Sequence, residues 1–125
     1  LHDNATTRKN LAAYYAEITQ LDIQVGACLA AVESSGQRDN TLVVFLSDNG
    51  CPTMTGAGTN GPLSGEKVTY FEGGIRVPFL ARWPGKVPAG TTCTQLCTMM
   101  DLLPTIAAIT ACMRPPGTPC VIRLA

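Results

Sequence analysis

The run Thr41-Leu42-Val43-Val44-Phe45-Leu46 constrains this chain more than any other segment. It is continuously apolar, rich in β-branched residues and bounded by turn formers, the pattern of a strand buried on both faces as in a parallel sheet. Ahead of it, Leu11, Tyr14, Tyr15, Ile18, Leu21, Val25, Cys28, Leu29 and Val32 recur at the three- and four-residue steps of one helical face. That periodicity predicts a long amphipathic helix over residues 8–35, with Thr7 as N-cap and Gly36 as the left-handed residue that stops it. Cys28, on the apolar face, reads as a small core residue. A helix feeding a buried strand implies an α/β architecture.

The strand runs directly into Ser47-Asp48-Asn49-Gly50. In open α/β sheets ligands collect at the carboxyl ends of strands, so this polar cluster stands where chemistry is expected. Residues 50–65 are rich in Gly and Pro without hydrophobic period and read as a long loop. A second short strand is expected over residues 77–83, with Pro78 at an entry or edge position and Pro84-Gly85 ending it. Residues 98–109 predict another helix, capped by Thr98 or Asp101, with Pro104 confined to its first turn. The Pro-rich residues 112–125 read as a tail that leaves the pattern.

Composition removes several function classes. Nine Lys and Arg balance nine Asp and Glu in 125 residues, with no run of like charge, so nothing marks a nucleic-acid or anionic-membrane surface. No apolar stretch approaches the ~20 residues that span a bilayer. Hydrophobic residues make up 46% of the chain, enough to build a core rather than a disordered segment. Cys28, Cys51, Cys93, Cys97, Cys112 and Cys120 miss the usual zinc spacings, with His2 the single histidine, and their pairing stays open. A chain that opens on Leu rather than Met reads as a piece of a longer one.

Several motifs fall in one register: Phe45-Leu46-Ser47-Asp48-Asn49-Gly50, Asn60-Gly61-Pro62-Leu63, Gly65-Glu66-Lys67, Phe71-Glu72-Gly73-Gly74-Ile75-Arg76-Val77-Pro78-Phe79 and Met100-Asp101-Leu102-Leu103-Pro104-Thr105. In this order the chain resembles the arylsulfatase family over residues 10–109, the later part of the catalytic domain. The resemblance implies an incomplete, alkaline-phosphatase-like α/β domain over residues 1–111, with a mostly parallel sheet and flanking helices. It also implies hydrolysis of a small-molecule or carbohydrate sulfate ester, a calcium site, and a formylglycine nucleophile made from Cys or Ser. Exported or lysosomal placement goes with the family.

Residue by residue, Asp48 and Asn49 match the pair that coordinates calcium in the family, and a carboxylate beside an amide oxygen suits a hard cation. Taken without that match, Asp-Asn-Gly after a strand is an Asx turn. Lys67 matches the lysine that contacts sulfate, a compact positive charge opposite a transferring anionic group. Glu72, Gly73, Gly74 and Arg76 match a bracing segment in which the glycines permit a tight path. Asp101 reads as a helix cap, and His2 lies outside the matched motifs.

The departures are equally specific. No cysteine begins Cys/Ser-x-Pro-x-Arg or Cys-x-Ala-x-Arg, and the early Asp-Asp ligands and upstream Lys and His of the family are missing from this chain. Two ligands do not fill a calcium shell of ~6–8 oxygens. Glu66 stands where the family more often has Gly, a carboxylate next to the sulfate-contacting position. The chain alone is therefore expected to be inactive and to aggregate or order only in part. A non-catalytic α/β remnant and a phosphoryl-transfer relative of the same superfamily are the alternative readings.

Overall fold

The computed structural model describes residues 3–54 and 58–110. The chain divides into two units, residues 1–89 and residues 90–125. The tail expected at 112–125 and His2 lie outside the described residues.

In the first unit a long helix, α1, spans Ala5–Ser34. It starts three residues before the expected position because Asn4, not Thr7, is the N-cap. The Asn4 backbone is extended, and its Oδ1 accepts a hydrogen bond from the Thr7 amide at 2.9 Å. Asn ranks at least as high as Thr for that role, and Ala5 and Thr6 are free to enter the helix. The exit follows expectation, with Gly36 left-handed at φ 70° and its amide bonded to the Glu33 carbonyl at 3.1 Å.

The apolar face of α1 has a different fate from the one its periodicity implies. Leu11, Val25 and Val32 are half-buried, whereas Tyr14, Tyr15, Ile18, Leu21 and Leu29 are exposed, and no residue of α1 is buried. Cys28 is exposed and not a core residue, because nothing among the described residues covers that face.

Two strands follow, β1, Val43–Leu46, and β2, Phe79–Arg82, which pair antiparallel with Val43 opposite Arg82 and Leu46 opposite Phe79. The α/β class stands, but the sheet among the described residues is this antiparallel pair rather than parallel strands. The expectation that β1 is buried on both faces fails as well: two strands cover neither face, and Phe45 is exposed. Among the described residues between the strands there is one short helical turn, α2, at Glu72–Ile75, and the antiparallel pairing means that the chain doubles back. Pro78 precedes β2 directly, at the expected entry position.

What closes this unit is a crossing of backbone on backbone. The β1–β2 pairing continues from the Ser47 amide to the Pro78 carbonyl at 3.3 Å, and from the Gly50 amide to the Gly74 carbonyl at 2.9 Å. The Gly73 amide reaches the Ser64 carbonyl at 2.6 Å. Gly50, Gly73 and Gly74 are all buried. A Cβ on Gly50 would come within 2.8 Å of the Gly73 carbonyl carbon, and one on Gly73 within 2.7 Å of the Ser64 oxygen. Only residues without side chains fit here.

In the second unit, the 3-10 turn Met99–Asp101 leads into helix α3, Leu102–Ile109. Thr98 and Asp101 cap it together: the Thr98 side chain and the Asp101 side chain each bond the other's backbone, with Thr98 N to Asp101 Oδ2 at 2.7 Å. Asp101 is thus a capping residue, as its sequence context implies.

Two glycine substitutions separate these effects. Gly26 in α1 has open space at its Cβ position, so Gly26→Ala raises helicity and stability by about 0.5–1 kcal/mol. Gly73→Ala lowers stability by about 1–3 kcal/mol through forced backbone displacement. Denaturant titrations followed by circular dichroism check both signs.

Candidate functional site

Asp48 and Asn49 follow β1 without an intervening turn, because the pairing of Ser47 with Pro78 and of Gly50 with Gly74 holds both ends of this short segment. Asp48 is exposed and Asn49 half-buried. The local polar contact is made by Ser47, whose Oγ donates to the Asn49 carbonyl at 2.8 Å. Neither the Asp48 carboxylate nor the Asn49 side-chain amide has a hydrogen-bond partner among the described residues. An Asx turn would engage one of these side-chain oxygens with nearby backbone. Here both remain open, as a ligand pair requires.

Lys67 sits at the tip of a turn closed by the Thr69 amide on the Glu66 carbonyl at 3.0 Å, and by the Thr69 hydroxyl, which donates to the same carbonyl at 2.7 Å and accepts from the Glu66 amide at 3.0 Å. Its neighbour Val68 is left-handed at φ 68°, an unusual state for a β-branched residue. The turn leaves Lys67 exposed and without an ion pair among the described residues. It adjoins the crossing from the other side: a Cβ on Gly74 would meet Thr69 Oγ1 at 3.0 Å. The glycines therefore link the strand end bearing Asp48 and Asn49 to the turn bearing Lys67. Glu72 and Arg76 form the expected brace, with Arg76 Nη1 3.2 Å from Glu72 Oε2 across one exposed helical turn.

Two residues organise the loop between them, and the sequence motifs gave neither a role. Asn60 donates from Nδ2 to the Cys51 carbonyl at 2.7 Å and to the Gly65 carbonyl at 3.1 Å, while its Oδ1 accepts from the Cys51 amide at 2.8 Å. One side-chain amide thereby pins both ends of the glycine-rich loop. Thr53 and Met54 hold Glu66: its Oε2 accepts from Thr53 Oγ1 at 2.7 Å, from the Met54 amide at 3.2 Å and from the Thr53 amide. The Thr53 hydroxyl first, and then the two amides, hold the Glu66 carboxyl below its ordinary range. The signal for Asn60 was its place in Asn60-Gly61-Pro62-Leu63; the signal for Glu66 was its departure from glycine.

No cluster of three or more His, Cys, Asp or Glu that could hold a metal ion exists among the described residues. Cys28, Cys51, Cys93 and Cys97 are free thiols. No helix of the described residues is long and apolar enough to cross a membrane.

Against known proteins, the sulfatase family model matches residues 2–111. Arylsulfatase A of Bos taurus is 44% identical over 100 residues, covering 78% of this chain and 20% of that protein. N-acetylgalactosamine-6-sulfatase of Homo sapiens is 41% identical over 103 residues, covering 80% of this chain and 20% of that protein. The crystal structure of Ps i-CgsB in complex with k-i-k-neocarrahexaose superposes with a TM-score of 0.78 at 36% identity, covering 90% of this chain and 24% of that one. The chain thus spans about a fifth of the length of the curated relatives it matches.

The Glu66 contacts give a pH signature. Because the folded chain binds the Glu66 proton less readily than the unfolded chain, the contacts stabilise the loop above the ordinary carboxylate value and lose that contribution as pH falls through the lowered one. In an acid titration by NMR, the Thr53 and Met54 amide signals move together with a midpoint below that of an unstructured Glu peptide. Glu66→Gln abolishes that shared titration.

Proposed function

The chain belongs to the sulfatase family, and on that premise we propose that it is the part of a sulfate-ester hydrolase domain that supplies two calcium ligands and one sulfate-contacting cation. The observation that carries this reading is the pair of uncommitted side-chain oxygens on Asp48 and Asn49 at the carboxyl end of β1. Their chemistry fits calcium, which takes carboxylate and amide oxygens and leaves imidazole and thiolate to softer metals. The remaining oxygens of the shell and the Cys or Ser that becomes formylglycine belong, in this reading, to sequence outside these 125 residues.

When bound, the calcium ion supplies positive charge at the sulfate. Asp48 and Asn49 would hold it through their side-chain oxygens, on backbone that the pairings of Ser47 and Gly50 fix at both ends. In this reading the unpaired ammonium of Lys67 would contact the same anionic group and offset charge that develops on the sulfuryl oxygens as the ester bond breaks. The alternative of a remnant without chemistry is disfavoured because the residues that would hold metal and sulfate are present and unspent. For substrate we infer a sulfated carbohydrate: one relative is named for N-acetylgalactosamine 6-sulfate ester chemistry, and the structural neighbour holds a neocarrahexaose.

Calcium titration of the 125-residue chain, followed by NMR, tests the ligand pair. With two donors the expected Kd is roughly 1 mM or weaker, and the shifts centre on Asp48, Asn49 and Gly50. Asp48→Ala removes them; shifts that persist in Asp48→Ala contradict the assignment. The chain by itself turns over no aryl sulfate, and turnover free of contaminating enzyme would overturn the placement of the nucleophile elsewhere.

A further inference from the structure

A glutamate next to a lysine in an exposed turn is placed to neutralise it. Glu66 does not do so. Its Oε2 takes hydrogen bonds from the Thr53 hydroxyl, the Thr53 amide and the Met54 amide. The ion pairs of the described residues are Arg8 with Asp3, Arg38 with Glu33 and Arg76 with Glu72, and none involves Lys67. All nine Asp and Glu of the chain lie among the described residues, and none of them lies within ion-pair distance of Lys67.

We propose that Thr53 and Met54 form a clamp that draws the Glu66 carboxylate away from Lys67 and so keeps the Lys67 ammonium open to an anionic group of the substrate. Thr53 is then a positioning residue that acts through Glu66, and the proposal rests on the reading of Lys67 as the sulfate-contacting residue. The competition favours the clamp on physical grounds. An exposed Glu–Lys pair must order two long side chains and gains little in water. The amides of Thr53 and Met54 belong to backbone that the Asn60 contacts to Cys51 already tether, and hydrogen bonds to an ionised carboxylate are the stronger kind. An arriving sulfate therefore meets an ammonium with no internal carboxylate to displace. The same clamp fastens the loop that follows Asn49 to the residue that precedes Lys67, so the two halves of the candidate site are joined by side chains as well as by the glycine crossing.

The test is competitive acetylation of Lys67 on the full chain, with Lys9 and Lys86 as internal references and each site quantified by mass spectrometry. Glu66→Gln leaves the relative reactivity of Lys67 unchanged. Thr53→Val removes the hydroxyl donor, and Thr53→Pro the hydroxyl and the amide donor together; each loosens the carboxylate's hold, the second more than the first, and Lys67 reactivity falls in that order by up to about twofold. Adding Glu66→Gln to either Thr53 variant restores the original value, a rescue that a general loosening of the loop would not produce. A rise in Lys67 reactivity in Glu66→Gln alone, or no change in both Thr53 variants, overturns the clamp. A separate arm adds inorganic sulfate: failure of sulfate to slow Lys67 acetylation in the unsubstituted chain counts against Lys67 as the sulfate contact, whereas the clamp is decided by the variants without sulfate.

Discussion

The candidate site depends on one contact in which backbone lies directly on backbone, where Gly50 crosses Gly73 and Gly74. The Gly50 amide bonds the Gly74 carbonyl, the Gly73 amide bonds the Ser64 carbonyl, and these three glycines, with Ala107, are the buried positions among the described residues. Side chains are excluded there by distance, so the crossing is specified by glycine itself rather than by apolar packing. Its consequence is positional. The residues just before Gly50 are Asp48 and Asn49, the residues just after Ser64 lead to Lys67, and the crossing fixes one against the other although many residues of loop separate them in sequence.

Electrostatics follow from that geometry. The segment carries a carboxylate and an amide oxygen that no local donor engages, and a lysine that no carboxylate engages. On an exposed surface such groups lose little by staying unpaired, and they remain available to ligands from outside the chain. Glu66 makes the arrangement sharper, because the one carboxylate adjacent to Lys67 is satisfied by Thr53 and Met54 instead. Thr53 thus ties the residue before Lys67 to the glycine-rich loop.

Much of this was legible in sequence where the signal is local. Gly36 as the left-handed end of α1, Pro78 at the entry to β2, and the caps at Thr98 and Asp101 all depend on residues within one turn of each other. The pair Glu72 and Arg76, four apart, also follows from spacing. What was not legible is long-range. An apolar β-branched run announces a strand but not the direction of its neighbour, so the antiparallel partner of β1 could not be read from Val43-Val44-Phe45-Leu46. The periodicity of α1 likewise announces a face but not what covers it, and Cys28 on that face is exposed. Asn60 and Glu66 were visible as residues, yet their partners lie five to thirteen positions away and are mostly backbone groups, which no spacing rule connects.

The crossing is the claim on which the rest stands, and residue-resolved hydrogen exchange of the calcium-free chain measures it directly. The account predicts that the amides of Gly50, Gly73 and Gly74 exchange as slowly as those of β1, well behind the amides of the loop at residues 58–65. Exchange of the three glycines at the rate of that loop would contradict it, since the strand end bearing Asp48 and Asn49 and the turn bearing Lys67 would then be joined only by the side-chain contacts of Asn60 and Glu66.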